Sequence, residues 1–226
     1  MDGPTASPLR VTVTARSGSI VVRTGPGPEV EAVGAKVKRD ADGSVRIESK
    51  SGETEVTVPE GADLILGTSS GKVRIEGRLG DVRVTASSGS VYIEAARSVD
   101  VRARSGSVEI GECAGGCHVV AASGKVEIGR AGLVDINAVS GTIVAEAVAG
   151  GRLRSTSGNV TVGLESAADL DVRAVSSSIT VDLPRGVAPD MQLRTVSGKV
   201  HKEVDKGHDC VISAKTVSGS ITVRWT

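Results

Sequence analysis

A small pair of the Ser-Gly type recurs along this chain at nearly constant spacing. Its second position is held by Gly18, Gly52, Gly71, Gly89, Gly106, Gly124, Gly141, Gly158, Gly198 and Gly219, with Ser177 standing in once. Successive steps are 34, 19, 18, 17, 18, 17, 17, 19, 21 and 21 residues, and the first equals two seventeens. A unit this short cannot close a core of its own. Sustained over nearly the whole length, it requires neighbouring units to stack and share one interior.

Counting from the glycine as zero, branched apolar residues fall at −7, −5 and −3, and again at +2 and +4. Val82, Val84 and Ala86 with Val91 and Ile93 make one unit; Val99, Val101 and Ala103 with Val108 and Ile110 make the next. A spacing of two is strand periodicity, so each unit predicts two short strands with one face inward. The glycine lies between them, where the chain must turn and a positive φ costs glycine least. The expected fold is all-β: a parallel β-helix or β-solenoid of about a dozen coils of 17–21 residues, about 55 Å long at the usual strand spacing. Right-handed coiling is expected, as for parallel crossovers in general.

The unbroken repeat implies one solenoid domain over residues 11–226, preceded by a flexible segment over 1–10. Two stretches break the rhythm. Residues 24–44 carry no clean motif and read as an irregular coil or hairpin, and the steps lengthen to 21 beyond Pro184. With no Phe, one Tyr and one Trp, the interior must be thin and aliphatic, unlike the aromatic-rich core of a typical globular enzyme. Lys and Arg balance Asp and Glu at 27 each, which argues against general nucleic-acid binding.

No stretch approaches the roughly 20 apolar residues of a membrane span, and MDGPTASPLR does not read as a signal peptide. This reading places the chain in the cytoplasm, or at the cell surface if a leader has been removed. Three cysteines give no disulfide framework and fit a reducing compartment.

Three columns carry candidate chemistry. The serines at −1, from Ser17 to Ser218, resemble a row of nucleophiles, but a nucleophile needs one distinguished serine and a base. Their expected role is bonding to backbone or to one another. Cys113, Cys117 and His118 lack standard zinc or haem spacing, and Cys117 falls on an inward position, so neither metal nor cofactor is expected. At −6 the coils read Arg83, Asp100, His118, Asp135, Arg152 and Asp171, an alternation that stacking would turn into a charge ladder. At −4 the later coils read Arg154, Arg173, Arg194 and Lys215 with no alternation. This is the best candidate binding site, a stripe for a polyanion. Outward Val139, Val175, Val196 and Val217 at −2 suggest an apolar strip beside it, and Trp225 reads as a plug on the last coil.

Three stretches resemble the bacterial putative-adhesin family, a group of β-strand-repeat domains. They are VTVPEGADLILGTSSGKVRIEG at 56–77, the xSGxVxI units from 84 to 162, and ITVDLPRGVAPDMQLRTVSGKV together with the closing VSGSITVRW. The likeness spans residues 10–226. It implies a β-helix-like rod and brings no catalytic residues with it.

The expectation is therefore a non-enzymatic binding or structural module. Its partner would be an anionic polymer, a cell-envelope surface or a protein, and an oligomer is open to it. A self-assembling cytoplasmic scaffold built by end-to-end stacking is the alternative. An enzyme acting on polysaccharide fits less well, because no cluster of acids with a base appears. Replacing Ile136 with Asp buries an unpaired charge and should abolish cooperative unfolding. A thermal melt indistinguishable from the parent would show that Ile136 does not face inward.

Overall fold

A computed structural model describes residues 8–226, and every regular element in it is a strand. The N-terminal half contains β1 (Arg10–Ser17), β2 (Ile20–Gly25), β3 (Glu31–Val33), β4 (Lys36–Arg39), β5 (Val45–Ser49), β6 (Thr54–Pro59) and β7 (Asp63–Ser70). Four long strands follow: β8 (Val73–Ser88), β9 (Val91–Ser105), β10 (Val108–Ser123) and β11 (Val126–Ser140). The remainder is β12 (Ile143–Val148), β13 (Gly151–Ser157), β14 (Val160–Leu164), β15 (Leu170–Ser176), β16 (Ile179–Leu183), β17 (Asp190–Ser197), β18 (Val200–Glu203), β19 (Val211–Ser218) and β20 (Ile221–Trp225). The segment expected to be flexible over 1–10 lies outside the described residues except at 8–10, and Arg10 already opens β1.

The coils form a solenoid with parallel pairing in strict register. Val82 lies beside Val99, Val99 beside Cys117 and Cys117 beside Val134, while Val91 lies beside Val108 and Val108 beside Val126. The −7, −5, −3, +2 and +4 positions fill the interior, and Val84, Ile93, Val101, Ile110 and Ile136 are fully or almost fully shielded from solvent. Each such side chain contributes on the order of 1.5–3 kcal/mol of burial free energy. A further inward row, Leu79, Ala96, Cys113, Ala131 and Val148, lines the corner opposite the Ser-Gly turn. The long strands bend through that corner by local slips in register, as between Cys113 and Gly116.

The Ser-Gly corner is tight for two reasons. Gly89, Gly106, Gly124 and Gly141 all have φ between +115° and +126°, a region that residues with a Cβ avoid. They also lie directly over one another. A Cβ on Gly89 would fall 1.8 Å from the carbonyl oxygen of Gly71, and one on Gly106 would fall 1.9 Å from that of Gly89.

The coils do not stack in sequence order. Along one face the strands run β5, β1, β7, β8, β9, β10, β11, β13, β15, β19 and β17, eleven rungs in all. The coil at 45–59 lies outside the first coil, and the last coil, β19–β20, is inserted between β15–β16 and β17–β18. Residues 24–44 therefore do not supply a second stacked coil. They form a strap in which β3 pairs antiparallel with β6, and β4 makes a hairpin with β5 through the Asp40–Ser44 turn. The long C-terminal steps have a similar cause. The chain must pass one vacant rung, lay down β17–β18, and return through residues 204–210 to fill the gap. The detour is tied by Ala188 N–H donating to Asp209 Oδ2 at 2.8 Å and Val211 N–H donating to Asp169 Oδ1 at 2.8 Å.

Trp225 accordingly does not plug the end of the rod. It lies in the penultimate rung beside Leu183, with its indole N–H donating to the Val187 carbonyl at 3.0 Å. The outermost rung carries Lys202 in register with buried Val223. At the other end the exposed β4 strand carries Lys36, Lys38 and Arg39. Charges on edge strands oppose pairing with another chain.

Substituting Gly106 by Ala should destabilise the rod by about 1–3 kcal/mol, with loss of cooperativity if several corners are changed together. The same change at Gly43, where φ is also positive but no atom lies within 4 Å, should cost less. Equal losses in chemical denaturation would mean that backbone conformation, and not coil-on-coil contact, sets the requirement.

Candidate functional site

The −4 residues of the later coils do form one column. Arg154 pairs in register with Arg173, Arg173 with Lys215, and Lys215 with Arg194. The order differs from sequence order because β19 is inserted, so Lys215 lies inside the stripe and Arg194 ends it. Each step is about 4.8 Å, which places four cations over about 14 Å of the rod.

The −6 column is the charge ladder that the alternation implied. Arg83 meets Asp100 at 3.1 Å, His118 approaches Asp135 at 3.7 Å, and Arg152 approaches Asp171 at 3.8 Å. Asp171 also reaches sideways to Arg173 at 3.1 Å. Among the described residues Arg154, Lys215 and Arg194 have no carboxylate partner. Two columns of one sheet are thus charged differently: one compensates most of its charge through Arg83–Asp100 and Arg152–Asp171, and the other keeps most of its positive charge.

An open trough of about 680 Å³ runs along this face across the coils from Thr85 to Val175. Arg102 and Arg104 flank one end, Arg154 and Arg173 the other, and Val120, Ala122 and Val139 line the stretch between. The first pair was not singled out from sequence, although Arg102 occupies the same −4 column, three rungs before Arg154. Beyond the trough the valines at −2 continue as a strip. Registers on either side place Val175, Val217 and Val196 in adjacent rungs, and they are 48%, 50% and 79% exposed. The other sheet carries an excess of acids: Glu94, Glu109 and Glu146 are directed outward and exposed, while Glu127 pairs with Lys125 and Asp182 with Arg224 at 2.6 Å.

The remaining candidates are structural. Serine hydroxyls at −1 bond to the backbone of the preceding coil, Ser88 donating to Ser69 O at 3.1 Å and Ser140 to Ala122 O at 3.2 Å. They lie at the surface of the corner. Cys113 and Cys117 are buried beside the corner slip, with Cys113 Sγ donating to the Gly116 carbonyl at 3.3 Å, and the neighbouring Cys113 thiol together with burial raises the pKa of Cys117. Neither sulfur meets solvent as a nucleophile. Among the described residues no group of three His, Cys, Asp or Glu could hold a metal ion, and no helix is long and apolar enough to cross a membrane.

Asp171 ties the ladder to the four-cation stripe, as Asp100 ties Arg83 to Arg102 (3.8 Å) earlier in the same columns. Asp171→Asn should lower stability by up to about 1 kcal/mol at low salt, because its arginines then face one another uncompensated. Added salt should erase the loss. A deficit that persists in half-molar salt, measured by urea titration, would assign Asp171 a packing role instead.

The sequence profile of the family described as Toastrack DUF4097 matches residues 9–224. The fold is similar to that of a crystal structure described as a putative adhesin from Bacteroides fragilis. That similarity has a TM-score of 0.52 at 15% identity, covering 97% of this chain and 93% of that one. A structure described as a putative cell adhesion protein from Clostridium sporogenes aligns over 99% of this chain and 95% of its own, at 9% identity and a TM-score of 0.25. None of the curated proteins matches this chain. With residues 9–224 matched and the stacked-coil fold shared, the chain belongs to the Toastrack DUF4097 family.

Proposed function

We propose that this protein is a non-enzymatic binding module that holds an anionic partner along one face of its rod. The observation that carries the reading is the column Arg154–Arg173–Lys215–Arg194, contiguous in space and largely without counter-charge on a face that also carries a trough. Uncompensated like charges in neighbouring rungs cost stability, so a fold that maintains them fits a ligand that supplies the missing anions. The acidic opposite sheet gives the molecule a polarity: an anionic surface is attracted to one face and repelled by the other. The putative-adhesin description of the Bacteroides fragilis structure agrees with a role in attachment.

Self-assembly through the rod ends is the weaker reading. Lys202 at a core register in the outermost rung, and the lysines of β4 at the other end, both oppose end-to-end stacking. Catalysis on a polysaccharide finds no support in the acids of this face, because Asp100 and Asp171 are each held by arginines.

Arg154 and Arg194 are the sensible residues to reverse, since Asp171 holds Arg173. The double variant Arg154→Glu with Arg194→Glu should keep the parental melting behaviour yet lose retention on an immobilised acidic polymer. The parent's retention should itself weaken steeply with salt. Undiminished binding by the double variant would exclude this face.

A further inference from the structure

Building on the proposed anionic-partner face, we infer that its ligand is a linear acidic polysaccharide. Its chain would lie along the rod axis with the carboxylates on its inner side meeting the Arg154–Arg173–Lys215–Arg194 column.

Three features select this class. The first is spacing. The cations repeat once per rung, about 4.8 Å, and an extended pyranose unit is close to that length. A strand of duplex DNA carries a phosphate every ~3.4 Å and so drifts out of phase within a few rungs. Inorganic polyphosphate is more closely charged still.

The second is the apolar column alongside. Val175, Val217 and Val196 stand exposed two residues on from Arg173, Lys215 and Arg194 in the same rungs. A bare phosphate polymer has nothing to place on them, whereas a sugar ring offers a C–H face to aliphatic side chains and carries its charge at the ring edge. The third is shape. The trough meets the column at Arg154 and Arg173 and continues away from it as a one-dimensional groove, with an aliphatic stretch, Val120 and Val139, leading to Arg102 and Arg104. It follows a chain better than it follows a plane, which disfavours a lipid surface.

The test uses the intact protein, with oligogalacturonates of two to eight residues as the acidic glycan probe. Polyphosphate and phosphatidylglycerol vesicles serve as controls. Calorimetric affinity should rise at least tenfold between the dimer and the tetramer, where the four rungs are filled, and increase again only when the chain reaches Arg102. Val175→Ser combined with Val217→Ser leaves every charge in place, and both positions are exposed, so the fold should be retained. This variant should weaken tetramer binding about tenfold and leave any polyphosphate binding unchanged.

Polyphosphate or vesicles bound as tightly as the oligogalacturonates would overturn the glycan assignment while leaving the anionic-partner reading intact. So would a valine variant that binds the tetramer like the parent. Absence of binding to all three probes would overturn both.

Discussion

The contact on which the structure depends is glycine against carbonyl at the Ser-Gly corner. Each corner lies on the one before it so closely that a Cβ on Gly141 would fall 1.8 Å from the carbonyl oxygen of Gly124. Because this contact recurs at every turn of the central coils, it fixes the phase of each coil relative to its neighbour. Residues at equal distance from the glycine are then forced into columns, on both sheets and on both faces of each sheet. The aliphatic interior follows from five such columns and from the row at the opposite corner. The surface chemistry follows from the others.

A columnar surface turns a single residue choice, repeated, into a line of chemistry. The −6 column alternates sign and satisfies itself, as in the pairs Arg83–Asp100 and Arg152–Asp171. Its neighbour at −4 is filled with one sign over four rungs. Exposed ion pairs add little stability individually, so the ladder matters more for register and for leaving the adjacent column uncompensated. Asp171 marks the boundary between the two, because it contacts arginines from both.

The chain closes its rod by rearranging the order of its coils at both ends. The first coil is covered by the second, which is in turn bordered by antiparallel β3 and β4. The last coil is enclosed by the one before it. At one end the outermost strand carries Lys202 where the inner coil carries Val223, and at the other β4 carries Lys36, Lys38 and Arg39, so the edges do not template further stacking. This arrangement also shapes the cationic face: it moves Lys215 between two arginines and extends the cationic column to the end of the rod.

Much of this was legible from residue spacing. The inward columns, the turn at each glycine, the −6 ladder and the adjacency of Arg154 to Arg173 follow from counting. A step of 17 to 19 residues corresponds to one coil, and parallel stacking preserves the count. Arg102 was equally countable from the same column, although Val120 and Asn137 interrupt its run to Arg154. The coil order at the ends was not legible. A 21-residue step is compatible with an extended loop on a regular coil or with a skipped rung, and local periodicity is identical in the two. Only long-range pairing chooses between them, through contacts such as Val211 to Asp169 and Trp225 to Val187 that join segments about forty residues apart. Sequence therefore determined the columns and their contents, since these depend on the repeat within each coil. Tertiary structure alone determined the order of the coils, because that depends on which strand edge each coil finds free.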